Sequence, residues 1–92
     1  MDFTGKVAIV TGAGDANAFA ARGMKVVVAE LNAEGGERVA AAIRARGGEA
    51  LFVRTDVSDE ASAKACAEAA ATAFGGIDYL VNNAAIFGDM LK

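Results

Sequence analysis

The chain has 92 residues, 54% of them hydrophobic and none of them proline, which is enough for one packed domain and too little for two. A formal net charge of -3 leaves no basic field for a phosphodiester backbone or an anionic membrane surface, so nucleic acid and membrane are not expected partners. Without histidine, and with Cys66 as the sole cysteine, the chain has neither the commonest general base nor a cysteine cluster for a metal or a disulfide.

Short continuous apolar runs alternate with longer helical stretches, a βαβαβαβ rhythm. It predicts an α/β fold, a Rossmann-type parallel sheet with flanking helices, incomplete, with about four strands and three helices. Asp2 and Lys6 interrupt any apolar run at the N-terminus, which gives neither a signal-peptide core nor a membrane span and makes the cytoplasm the expected compartment.

The first strand, Val7 to Val10, is apolar on successive residues, as a strand buried on both faces must be. It runs into Thr11-Gly12-Ala13-Gly14, a glycine turn that is either an ordinary βα turn or one whose backbone N–H groups approach a phosphate. Asp15 to Arg22 then supplies at most about 8 helical residues, about 12 Å of rise. Val7 to Ala29 offers 23 residues, against about 30 in an ordinary βαβ unit. If Asp15 caps this stunted helix, its carboxylate occupies the amides that would otherwise hold a phosphate and its charge opposes the ligand.

The second strand, Val26 to Ala29, ends at Glu30. Its carboxylate is either a solvated surface group or an acceptor for the adenosine ribose hydroxyls of NAD, and it would repel the 2′-phosphate of NADP. Asn32 is placed to cap a helix that ends near Gly47, with Val39, Ala42 and Ile43 on one face. Leu51 to Val53 is the third strand, followed by Thr55-Asp56-Val57, where Asp56 either meets a ligand or simply begins the next helix.

Ser58 can cap that helix, Asp59 and Glu60 fall in its first turn, and Gly75 takes the left-handed C-terminal position. Ala61, Ala65, Ala69 and Ala73 recur at every fourth position and are expected to face the sheet, with Cys66 a buried, inert thiol. Tyr79 to Val81 forms the fourth strand, and Asn82-Asn83-Ala84-Ala85 follows it. All the polar punctuation therefore falls at the carboxyl ends of strands, the ligand edge of an open parallel sheet.

Taken together, Thr11-Gly12-Ala13-Gly14, Asp56-Val57 and Asn82-Asn83-Ala84-Ala85 resemble the series found in the short-chain dehydrogenase/reductase family, over essentially the whole chain. The resemblance implies that Gly12, Ala13 and Gly14 flank the cofactor phosphates, Glu30 the adenosine ribose, Asp56 and Val57 the adenine, and Asn83 and Ala84 the ribose side of the cleft. Asn82 falls to stabilising the central strands. It implies hydride transfer between nicotinamide and a small-molecule alcohol or carbonyl substrate, in a homo-oligomer; the expectation of NAD rather than NADP rests on Glu30 alone.

Residues 1–92 read as the N-terminal part of a single dinucleotide-binding domain that supplies cofactor binding only. The family's serine and Tyr-x-x-x-Lys would lie beyond Lys92, so no catalytic or metal-ligating residue is assigned here. Two departures stand out. Against the family's T-G-x-x-x-G-x-G loop, Ala16 and Ala18 occupy the second and third glycine positions. The chain also stops soon after a fourth strand whose apolar edge invites pairing or aggregation. The alternative is a non-catalytic nucleotide-binding or self-associating α/β fragment.

Overall fold

The computed structural model describes residues 3–11, 16–56 and 58–81. In chain order the elements are β1 (Val7–Thr11), α1 (Ala16–Ala20), β2 (Lys25–Glu30), α2 (Ala33–Ala45), β3 (Glu49–Arg54), α3 (Glu60–Phe74) and β4 (Tyr79–Val81). The strands form one sheet in the order β3-β2-β1-β4, and all three pairings are parallel. The expected architecture is thus present, with strands one to three residues longer than their apolar runs, except β4.

The two central strands explain why the apolar runs are continuous. Ala8, Val10, Val26 and Val28 pack on one face beneath Ala16, Ala40 and Ile43 of α1 and α2. Ile9, Val27 and Ala29 pack on the other, beneath Ala63, Cys66 and Ala70 of α3. Successive side chains point to opposite faces, so Ala8 to Val10 and Val26 to Ala29 alternate between the two helix layers.

The helix termini follow local chemistry. Asn32 caps α2 through a 3.1 Å bond from the Gly35 N–H to Oδ1, and Gly47 and Gly75 hold the positive φ values that end α2 and α3. The cap of α3 differs from expectation: it is Asp59, which accepts from the Ala61 N–H at 3.1 Å. Ser58 is otherwise engaged, because its N–H and hydroxyl both donate to Asp56 Oδ1, at 3.0 and 2.6 Å.

The buried helix faces also need correcting. In α3 the sheet is met by Ala63, Cys66 and Ala70, while Ala61, Ala65 and Ala73 are exposed and Ala69 is half-buried. A row at every fourth position drifts about 40° per step on a helix of ~3.6 residues per turn, so it cannot follow one sheet face for three steps. In α2 the buried row is Gly36, Ala40 and Ile43, with Val39 half-buried and Ala42 exposed. Here a glycine takes part in the contact face because it has no side chain to hold the helix off the sheet.

Cys66 is fully buried, and burial pushes its thiol above the usual range against a smaller opposing effect of the Thr55 hydroxyl. A thiol so placed is unreactive. Tyr79 lies in β4 and meets Phe3 edge to face, with ring centroids 5.6 Å apart. No helix among the described residues is long and apolar enough to cross a membrane.

Candidate nucleotide-binding edge

Because every pairing is parallel, the carboxyl ends of all four strands lie on one edge. Thr11 ends β1, Glu30 ends β2, Arg54 ends β3 with Asp56 two residues on, and Val81 ends β4. The Thr11 hydroxyl donates to the Val81 carbonyl at 3.4 Å, tying β1 to β4 at that edge. Of the expected site residues, Glu30 and Asp56 are described and stand on neighbouring strand ends, where the Thr55 N–H donates to the Glu30 carbonyl at 3.0 Å. Gly12, Ala13, Gly14, Val57, Asn83 and Ala84 lie outside the described residues, as do Asp15 and Asn82.

Each carboxylate is oriented by the chain that follows it. Glu30 Oε2 accepts the Asn32 N–H at 3.1 Å, just before α2 begins. Asp56 Oδ1 accepts both donors of Ser58, and the Asp56 N–H donates to the Ser62 hydroxyl at 2.9 Å. Asp56 therefore does help to begin α3. Yet among the described residues Glu30 Oε1 and Asp56 Oδ2 have no hydrogen-bond partner, so each carboxylate keeps one oxygen for an incoming O–H or N–H donor.

The Ser58 hydroxyl, and next the Ser58 N–H, hold the Asp56 carboxyl below its ordinary value; Arg54 assists, and partial burial opposes. A lowered folded-state value means that the ionised carboxylate stabilises the fold fully above the unfolded value of about 3.9 and loses that effect as pH falls through the folded value. Asp56→Asn should accordingly lower the urea midpoint at about pH 7, and the gap from the natural chain should narrow below about pH 4. A gap that stays constant between those pH values would show that the charge contributes nothing.

Two residues at this edge escaped the sequence reading. Leu31, directly after Glu30, is 50% exposed, a large apolar side chain presented to solvent between two polar ones. Arg54 is in register with Glu30 across β2 and β3. The available signals were an isolated leucine outside any helical or strand period, and a cation adjoining Thr55-Asp56. A cavity of about 590 Å³ opens at the opposite, amino edge, between Asn17, Lys25, Arg46 and Glu49, far from these carboxylates. The chemistry of the donors, not the size of the hollow, marks the carboxyl edge. Among the described residues no group of three or more possible metal ligands occurs.

Tested against a dinucleotide, the edge fits in one half. Acceptor oxygens at Glu30 and Asp56 suit a ribose diol and an exocyclic amine. The phosphate half, which falls to Gly12, Ala13 and Gly14, lies outside the described residues; the helix that follows is short, five residues beginning at the buried Ala16.

Comparison with known proteins agrees with the architecture. The family model described as short chain dehydrogenase matches residues 6–92. An uncharacterized oxidoreductase of Mycobacterium tuberculosis is 57% identical over 94 aligned positions, covering 96% of this chain and 38% of the relative. The structure of a hydroxysteroid dehydrogenase from Escherichia coli has a TM-score of 0.84 at 39% identity, covering 88% of this chain and 37% of that one. A short chain dehydrogenase/reductase from Burkholderia phymatum, in complex with NAD, has a TM-score of 0.80 at 42% identity, covering 87% and 31%.

The chain thus spans less than two fifths of the length of these relatives. Since 96% of 92 residues is about 88, about six of the 94 aligned positions have no residue of this chain opposite them. The same shortfall recurs against further relatives. With α2 at 13 residues and α3 at 15, the first crossover is the place in the described fold where such a deficit is visible.

Proposed function

We propose a function from one premise: the chain belongs to the short chain dehydrogenase family. It is the nucleotide-binding N-terminal part of an oxidoreductase that moves hydride between a nicotinamide cofactor and a small-molecule alcohol or carbonyl compound. Residues 1–92 form part of a single dinucleotide-binding domain, in a cytoplasmic homo-oligomer whose proton-transfer residues lie outside this chain. What carries the reading is the pair of carboxylates, Glu30 and Asp56, on neighbouring strand ends, each with an oxygen unclaimed among the described residues.

In this reading Glu30 accepts the adenosine ribose hydroxyls, and Asp56, with Val57, borders the adenine. Leu31 supplies an apolar surface beside the ring. The family resemblance gives Gly12, Ala13 and Gly14 to the cofactor phosphates, and Asn83 and Ala84 to the ribose side of the cleft. The cofactor is NAD rather than NADP, because a 2′-phosphate would meet the Glu30 carboxylate at short range.

The test is a titration with NADH and NADPH, beside an assay of NAD-dependent alcohol oxidation in the complete protein. NADH should bind more tightly, and Glu30→Gln should weaken it about tenfold, the scale of one charge-assisted hydrogen bond, while narrowing the gap to NADPH. Tighter NADPH binding by the natural protein would remove the NAD assignment. Lack of turnover on any alcohol or carbonyl compound would remove the oxidoreductase reading.

A further inference from the structure

Arg54 is the last residue of β3 and is exposed. Among the described residues its guanidinium makes no hydrogen bond and no ion pair. The cations of the neighbouring helix are all engaged: Arg38 with Glu34 at 3.3 Å, Arg44 with Glu37 at 2.6 Å, and Arg46, the C-cap of α2, with Asn17. Because the charge of Glu34 in the first turn of α2 is answered by Arg38, Glu30 and Arg54 are the charges that meet a ligand where β2 and β3 end.

Register sets the two side by side. Glu30 and Arg54 are partners across β2 and β3, on strands about 4.8 Å apart. Val28 and Phe52, each two residues earlier, both belong to the core on the α2 side, and side chains two apart on a strand share a face. Both Glu30 and Arg54 therefore leave the sheet toward α2, where Glu30 Cβ faces Gly36. Behind the two Ser58 bonds, the Arg54 charge also helps to hold the Asp56 carboxyl low. Its field thus reaches the strand-end carboxylates while its N–H donors stay uncommitted.

We infer that Arg54 is a specificity-determining residue for the cofactor, offering a cation to the 2′-phosphate that distinguishes NADP from NAD. The inference rests on the nucleotide-site reading above and refines it: Glu30 sets the direction of the choice and Arg54 limits its size. A ribose whose hydroxyl donates to Glu30 Oε1 would carry a 2′-phosphate into the space beside Glu30 and Arg54. One charge repels that phosphate and the other attracts it at comparable range, so the two effects largely offset each other. A planar guanidinium with free donors can also bond two phosphate oxygens at once. Without Arg54 the repulsion alone remains.

The experiment titrates NADH and NADPH against the complete protein, natural and carrying Arg54→Gln or Arg54→Lys. Arg54 is exposed, so neither substitution should move the urea midpoint appreciably. In the natural protein NADH should be the tighter ligand by about tenfold or less. Arg54→Gln should weaken NADPH about tenfold, the scale of one charge-assisted hydrogen bond, and leave NADH within about twofold. Arg54→Lys keeps the charge and loses the fork, so its NADPH affinity should fall between the two. An equal loss of both cofactors in Arg54→Gln, or no change in either, would overturn the inference and leave the dinucleotide site standing. If the natural protein bound neither cofactor, the nucleotide-site reading would fall and the inference with it.

Discussion

Gly36→Ala should cost the fold about 2 kcal/mol, the difference between ~3 kcal/mol of overpacking and ~1 kcal/mol returned by the higher helix propensity of alanine. Gly36 is buried in the first turns of α2, and a Cβ built there would lie 2.2 and 2.4 Å from Cε1 and Cδ1 of the Phe52 ring and 3.2 Å from Glu30 Cβ. Contacts below 3.0 Å require something to move. Either the Phe52 ring swings off β3 toward solvent, or α2 lifts from the sheet and loses the burial of Ala40 and Ile43.

Urea denaturation measures the cost, and a second substitution locates it. In a Phe52→Leu background the ring carbons are gone, so Gly36→Ala should cost less than in the natural chain, a coupling visible in a double-mutant cycle. Equal cost in both backgrounds would place the clash elsewhere. The consequence reaches the site, since Glu30 Cβ is the next atom met and the Glu30 carboxylate is held on the Asn32 N–H at the head of α2. The alanine should therefore loosen nucleotide binding as well as stability.

Gly36 also shows where sequence reading stops. The strands were legible because burial on both faces leaves an uninterrupted apolar run, as in Val7 to Val10 and Val26 to Ala29. The caps at Asn32 and Gly75 were legible because their side-chain and backbone chemistry is local. A packing face that includes a glycine carries no hydrophobic signal, and in α3 alanine appears on every side, so periodicity could not choose Ala63, Cys66 and Ala70 over Ala61, Ala65 and Ala73. Ser58 and Asp59 are both good caps in isolation. Only the bonds from Ser58 to Asp56 decide between them.

The candidate site was legible to the extent that topology alone determines it. Once the strands are known to be parallel, Glu30 and Asp56 must share an edge, and the register of β2 on β3 makes them neighbours. What spacing could not show is how each carboxylate divides its oxygens, one bound by the local chain and one without a partner among the described residues. Nor could it show Leu31, whose meaning depends on its being half exposed at the end of a strand rather than folded into the following helix. The short first crossover was visible as a deficit of residues. Its physical effect, a helix start buried in the core, required the packing of Ala16.

Asp78→Ala should destabilise the chain by about 2 kcal/mol, within the range of ~1–3 kcal/mol for stranding a buried donor. Asp78 immediately precedes β4 and serves both backbone groups of Val7: its Oδ2 accepts the Val7 N–H at 2.8 Å, and its own N–H donates to the Val7 carbonyl at 2.9 Å. Val7 is only 3% exposed, so water cannot easily replace the lost acceptor. The carboxylate does here what a backbone carbonyl would do had β4 begun earlier, extending a ladder otherwise paired at Ala8, Ile9 and Val10 alone. Asp78→Asn keeps an acceptor oxygen and forfeits only the charge, so it should cost well under half as much. If the asparagine and alanine variants proved equally unstable in urea, the charge of Asp78 rather than its bond to Val7 would be what holds β4. If neither lost stability, β4 would be anchored by its apolar contacts, with Leu80 packed against the α3-side core. The predicted order, natural chain above Asp78→Asn above Asp78→Ala, follows from one short bond at the amino end of the strand.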